Sequence, residues 1–247
     1  MLLHHLYVMK KQILLYLSIG LLFASCEKNT LPAATSASSA TIVIIGASTA
    51  EGKGADPIDS AWVNRLRLTT TSNPKPLTYI NLALGGYTTY QGMPTGFIKS
   101  DRPAPDTARN ITKALSLHPS LVMITFPSND IANGYTAEEV MSNYSIMTAL
   151  LDSAKVPYIL FGTQPRNLPD SANRVALKQV NTAIKSIYTD RANDYFDQFA
   201  TSSLTIKPEL SFGDGIHVNN KGHYLIVQSV LNHPVFQAVI ANAATTK

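Results

Sequence analysis

Ser48 lies just past a β-branched run, in the fragment Gly46-Ala47-Ser48-Thr49, and a hydroxyl there could attack an acyl carbon. A serine is a weak nucleophile until a base takes its proton, and the usual base, a histidine, needs an orienting acid. Asp214-Gly215-Ile216-His217 brings an acid and an imidazole within one loop. At that spacing the carboxylate can accept from one imidazole nitrogen while the other faces the serine. Either fragment alone carries little weight, because serines often follow strands and an Asp-x-x-His pair arises by chance. Acyl transfer also needs donors aimed at the developing oxyanion. Asn81-Leu82-Ala83-Leu84-Gly85-Gly86-Tyr87 and Pro127-Ser128-Asn129-Asp130 offer them. Gly86 lets the backbone approach a substrate closely, and the Asn129 side chain is a neutral donor that does not compete as a base. Their plainer readings are a turn glycine and a loop asparagine capping the next segment.

These residues act together only if the fold brings them together. Residues 41–45 (TIVII), ended by Gly46, read as a buried strand. Residues 77–84, 121–126 and 157–163 give three more apolar runs of strand length, and a weaker fifth lies around 195–199. Helical segments fall between them near 59–70, 106–117, 137–154 and 170–190, with a last one after Asn219 interrupted by Pro234. The third opens on Thr136-Ala137-Glu138-Glu139, a capping box in which the threonine oxygen and the Glu139 carboxylate satisfy orphan amides. Alternating strand and helix means a parallel sheet covered on both faces, with the ligand site beyond the carboxyl ends of the strands. The expected architecture is a three-layer α/β/α sandwich with a five-stranded parallel sheet.

Ser48, Gly86, Asn129 and His217, in that order and each but the last after its own strand, resemble the four blocks of the SGNH (GDSL-like) hydrolases. The resemblance covers nearly all of residues 41–247. It implies a flavodoxin-like sheet, a catalytic triad of Ser48, Asp214 and His217, and no cofactor. It also implies an oxyanion hole made by the amides of Ser48 and Gly86 and the side chain of Asn129. Two positions depart from the family pattern: Ala47 stands where G-D-S has aspartate, and Pro127 stands where G-x-N-D has glycine. Neither removes a catalytic group, but proline has a fixed φ and no amide hydrogen, so Asn129 would be approached by a stiffer turn.

Rival chemistries fit less well. Residues 47–54 nearly match a P-loop, but Ala47 replaces its first glycine, Gly54 its Ser/Thr, and Ala55-Asp56-Pro57 does not begin the helix that phosphate needs. In an α/β-hydrolase the nucleophile lies several strands into the sheet, whereas Ser48 follows the first. The histidines show no ligand clustering: His4 and His5 lie in the leader, His118 and His233 each precede a proline, and His223 reads as a capping or surface residue. Asp130 is expected to tie its loop and Trp62 to lie in the core, while Tyr87 and Tyr90 are candidates for lining the substrate pocket.

The 247 residues suit one globular domain after an N-terminal leader. Lys10 and Lys11 precede an apolar run of about twelve residues, shorter than the roughly twenty a bilayer span needs, so residues 1–25 read as a signal peptide. Phe23-Ala24-Ser25-Cys26 resembles the lipobox of bacterial lipoproteins, which implies lipidation of Cys26; the alternative is ordinary cleavage near the same place, leaving a free thiol, and with one cysteine no intrachain disulfide can form. Residues 26–40 are small and polar and read as a flexible tether, leaving 41–247 as the hydrolase domain. The leader holds two lysines and no acid, so the mature charge is +2, two less than the +4 of the whole chain. No basic run with interleaved aromatics supports nucleic-acid binding. The expected protein is exported and lipid-anchored on the periplasmic or cell-surface side of a bacterial membrane. Its expected activity is removal of short acyl groups, acetyl above all, from polysaccharide or glycan. The alternatives are a lysophospholipase or thioesterase, an acyltransferase, and a catalytically silent glycan-binding lipoprotein.

Overall fold

The computed structural model describes residues 39–73, 76–126 and 128–245, all within one unit, Ala37–Lys247. The signal peptide, Cys26, most of the tether and Pro127 lie outside the described residues.

Five strands run in the order β2-β1-β3-β4-β5, all parallel: β1 Ala40–Gly46, β2 Leu77–Asn81, β3 Leu121–Thr125, β4 Tyr158–Phe161 and β5 Ala192–Asn193. Alternation along β1 sends Ile42 and Ile44 to one face and Val43 and Ile45 to the other, and all four are fully buried. Each such aliphatic side chain contributes on the order of 2 kcal/mol of burial free energy, which is why this run reads as continuously apolar. On the first face Trp62 and Leu66 from Trp62–Thr69, Ile226 and Val230 from Asn220–Leu231, and Phe236 from Pro234–Thr245 cover the sheet. The second face is covered by Ile111–Ser116, Ala137–Ser153 and Ser171–Tyr188 through Ala114, Tyr144, Met147, Leu177 and Val180. This is the three-layer α/β/α sandwich that the alternation of elements predicts.

Several boundaries differ from the sequence reading for physical reasons. The fifth strand lies at Ala192–Asn193, while Phe196–Phe199 forms a helical turn. Phe196 and Phe199, both fully buried, are three residues apart, the spacing of one helical face. The helix expected over 106–117 starts only at Ile111, because Asn110 caps it by accepting from the Lys113 amide at 2.9 Å. The segment near 59–70 is a 3-10 turn, Ile58–Ser60, followed by Trp62–Thr69, with extended backbone at Ala61 between them. Beyond β2 the ladder continues toward the site, as Leu82 and Leu84 donate to the carbonyls of Ile44 and Gly46 at 2.8 and 3.2 Å.

The end of β1 sets the position of Ser48. A Cβ on Gly46 would lie 2.2 Å from the Thr125 carbonyl oxygen, so only glycine lets β1 and β3 close at this point. The next amide, Ala47, donates to that same carbonyl at 3.1 Å, and the chain then turns into the short helix Ser48–Glu51. Ala47 packs fully buried in the second apolar layer, where a methyl group incurs no desolvation cost.

Candidate active site

Ser48, His217 and Asp214 form one hydrogen-bonded row at the carboxyl end of the sheet. His217 Nε2 lies 2.8 Å from Ser48 Oγ, and His217 Nδ1 lies 2.6 Å from Asp214 Oδ2. The other carboxylate oxygen, Oδ1, accepts from the amides of Ile216 and His217, each at 2.8 Å. Burial pushes the Asp214 carboxyl upward, but the His217 amide, the imidazole and the Ile216 amide together hold it below its usual value. A carboxylate tied this way stays ionised and fixes the imidazole tautomer, leaving Nε2 free to take the serine proton.

The loop carrying Asp214 and His217 is fastened to the rest of the site by the segment after β4. Gln164, almost fully buried, accepts from Thr49 Oγ1 at 3.0 Å and donates through Nε2 to the Ile216 carbonyl at 2.7 Å. It therefore bridges Thr49, next to Ser48, and Ile216, next to His217. Three residues on, the Asn167 amide donates to the Gly215 carbonyl at 2.8 Å. Behind the loop, His223 is buried where a capping or surface residue was expected. Its Nδ1 accepts from the Trp62 amide at 3.2 Å and its Nε2 lies 2.9 Å from the Lys53 carbonyl. Burial pushes this imidazole down to about 4, so it is neutral near pH 7.

The opposite side of Ser48 comes from other strand ends. Gly85 donates its amide to Glu51 Oε2 at 2.9 Å and is thereby occupied. Among the described residues the amides of Gly86 and Ser48 have no protein partner. Gly86 adopts φ +83°, a left-handed conformation that a side chain would strain. Asn129 opens the helical turn Asn129–Ala132; its Nδ2 donates to the Tyr87 carbonyl at 2.8 Å and its Oδ1 accepts from Arg166 Nη1 at 3.0 Å. One N–H of the amide is left. The next residue, Asp130, ties the loop as expected: it accepts from the Thr89 hydroxyl at 2.6 Å and from the Thr89 amide. Burial raises this carboxyl to about 6, against the lowering pull of its Thr89 hydrogen bonds.

Ser48, Gly86, Asn129 and His217 line one cavity of about 520 Å³, together with Glu51, Lys53, Leu84, Gly85, Arg166 and Ile216. The two tyrosines proposed as substrate contacts do not line it. Tyr90 is buried in the second apolar layer with its hydroxyl donating to Glu139 at 2.7 Å, and the Tyr87 hydroxyl donates to Asp106. Tyr87 enters the site through its carbonyl alone. Trp62 packs in the core against Phe161, with ring centroids 5.2 Å apart. Gln164 and Arg166 were missed in the sequence, although they follow β4 at the same topological position as Ser48 and Asn129 follow their strands.

The profile of the GDSL-like Lipase/Acylhydrolase family matches residues 44–225, and the chain belongs to that family. Its members are carboxylic ester hydrolases, so the class of reaction follows. Solved structures with the same fold include a psychrotrophic esterase from Pseudoalteromonas sp., 18% identical, with TM-score 0.56 over 78% of this chain and 95% of that one. A lipase/acylhydrolase from Enterococcus faecalis is 18% identical, with TM-score 0.58 over 82% of this chain and 96% of that one. A two-domain esterase active on acetylated mannans is 20% identical, with TM-score 0.51 over 85% of this chain and 50% of that one. No curated protein matches the chain in sequence.

Proposed function

We propose that this chain is a serine esterase that removes short acyl groups, acetyl above all, from glycans. The observation that carries the reading is the row Ser48–His217–Asp214 opening on a cavity bordered by the unengaged amides of Ser48 and Gly86. In the mechanism Ser48 Oγ attacks the ester carbonyl carbon while His217 Nε2 takes its proton, and Asp214 stabilises the imidazolium. The two amides and the remaining Asn129 N–H receive the oxyanion. His217 then protonates the departing alcohol, and a water deprotonated by the same imidazole releases the acid and restores Ser48.

Two aliphatic residues, Leu84 and Ile216, line the cavity and suit a short acyl group. The activity of one fold relative on acetylated mannans is in keeping with a glycan acetate. The sequence around Cys26 supports export and lipid anchoring to a bacterial membrane, and Cys26→Ser should move the protein from the membrane to the soluble fraction. The functional test is a series of nitrophenyl esters of increasing acyl length. Rapid hydrolysis of the acetate, falling with chain length and reduced by about 10⁴-fold or more in Ser48→Ala, is the expected result. A preference for long acyl chains would overturn the substrate reading.

A further inference from the structure

Arg166 is half-buried at the cavity wall, and among the described residues its side chain makes one hydrogen bond, to a neutral acceptor, Asn129 Oδ1. Lys53 lines the same cavity with an exposed side chain, and among the described residues neither cation is in an ion pair. Two carboxylates lie nearby, Glu51 in the same cavity lining and Asp214, and neither is within salt-bridge distance of Arg166 or Lys53. Glu51 receives the Gly85 amide, and Asp214 receives the imidazole and two amides, although its charge is felt at Arg166. A guanidinium partly withdrawn from water is costly without a charged partner, and four of its five N–H donors remain unused here. Its planar fork matches a carboxylate in a way the ammonium of a lysine does not. Arg166 is also held in place, because Asn129 anchors it beside the position where the oxyanion forms.

We propose that this cavity selects acyl esters on sugars that carry a carboxylate, with Arg166 as the anion-binding group and Lys53 beside it. The inference rests on the ester-hydrolase reading of Ser48 and sharpens its substrate class from a glycan to an acidic, uronate-type glycan. The cavity volume suits one sugar ring and its acyl group. Arg166 also steadies Asn129, so replacing it slows every ester; the preference for acid over neutral substrate isolates its second role.

The test measures kcat/KM for acetate release from a mono-O-acetylated methyl galactosiduronic acid and from its uncharged uronamide. The wild-type protein should favour the acid by about tenfold to a hundredfold, the range of a charge-assisted hydrogen bond. Arg166→Met should bring that ratio down to the few-fold preference that Lys53 alone supplies, and Lys53→Met should lower the wild-type ratio by roughly twofold to fivefold, as befits an exposed charge. Should Arg166→Met fail to fold, raising the salt concentration on the wild type provides the second reading, since screening should reduce the ratio several-fold. A wild-type ratio near one, or a ratio unchanged in Arg166→Met, overturns the inference while nitrophenyl acetate hydrolysis at Ser48 leaves the esterase reading intact. Loss of both acetate activities in the wild type overturns the two together.

Discussion

The two flanks of Ser48 are built in different ways. On the acid–base flank, Asp214 and His217 belong to one four-residue stretch that is largely organised by its own hydrogen bonds, with Gln164 and Asn167 fastening it from outside. The oxyanion flank has no such unit. Gly86, Asn129 and Arg166 arrive from the ends of three different strands and are registered by long-range ties: Gly85 to Glu51, Thr89 to Asp130, and Arg166 to Asn129. A compact loop is specified locally, so an outside tie mainly fixes where the loop sits. An assembly of separate strand ends has its geometry in the ties themselves. Substitutions on the two flanks should therefore differ in what they damage.

The largest contrast is expected at Asn129. Asn129→Ala removes one oxyanion donor and the bonds to Tyr87 and Arg166 from a loop still held by Asp130, so kcat should fall by about a hundredfold to a thousandfold, at a stability cost of about 1–2 kcal/mol. Steady-state kinetics and thermal unfolding on the same preparation check both parts. On the other flank, Gln164→Leu leaves the Ile216 carbonyl and the Thr49 hydroxyl without their shared partner. It should cost about 1–3 kcal/mol of stability, and kcat should fall roughly tenfold while KM changes little. Equal losses of kcat in the two variants would break the contrast.

The flanks should also respond to pH in opposite directions. His223, behind the acid–base loop, has its imidazole pushed down to about 4, so the folded state binds fewer protons than the unfolded state. Its contribution is present above pH 6.5 or so and is lost as pH falls toward 4, a change of about 3 kcal/mol. Asp130, beneath the oxyanion flank, has its carboxyl raised to about 6, so its contribution shrinks as pH rises from about 4 through 6. His223→Gln should flatten the acid-side loss of stability, as measured by urea unfolding at pH 5 and pH 7. The smallest effect belongs to Tyr87→Phe, which loses a hydroxyl bond to Asp106 outside the cavity. Activity should stay within about twofold, at a cost of about 1 kcal/mol.

The same contrast explains how much could be read in the sequence. Asp214 and His217 are legible because their relation is a fixed short spacing. Ser48, Gly86 and Asn129 are legible because strand ends can be found from β-branched runs, and a parallel sheet gathers those ends. Residues 195–199 read as a strand because three aromatics in five residues, Tyr195, Phe196 and Phe199, do not separate a period of two from one of 3.6, and the true β5 is only two residues long. Gln164 and His223 act across 115 and 161 residues of chain, on Thr49 and Trp62, so no local pattern reveals them. Tyr90 looked like a pocket residue from its neighbours; its burial is decided by the second apolar layer and by Glu139, 49 residues away.

The most direct test of the Ser48–His217–Asp214 arrangement is labelling with an alkyl fluorophosphonate, followed by peptide mass mapping. The wild-type protein should take up one phosphonyl group on Ser48, and His217→Ala should take it up several orders of magnitude more slowly. A label on any other residue, or ester hydrolysis that persists with Ser48 unlabelled, would contradict the account.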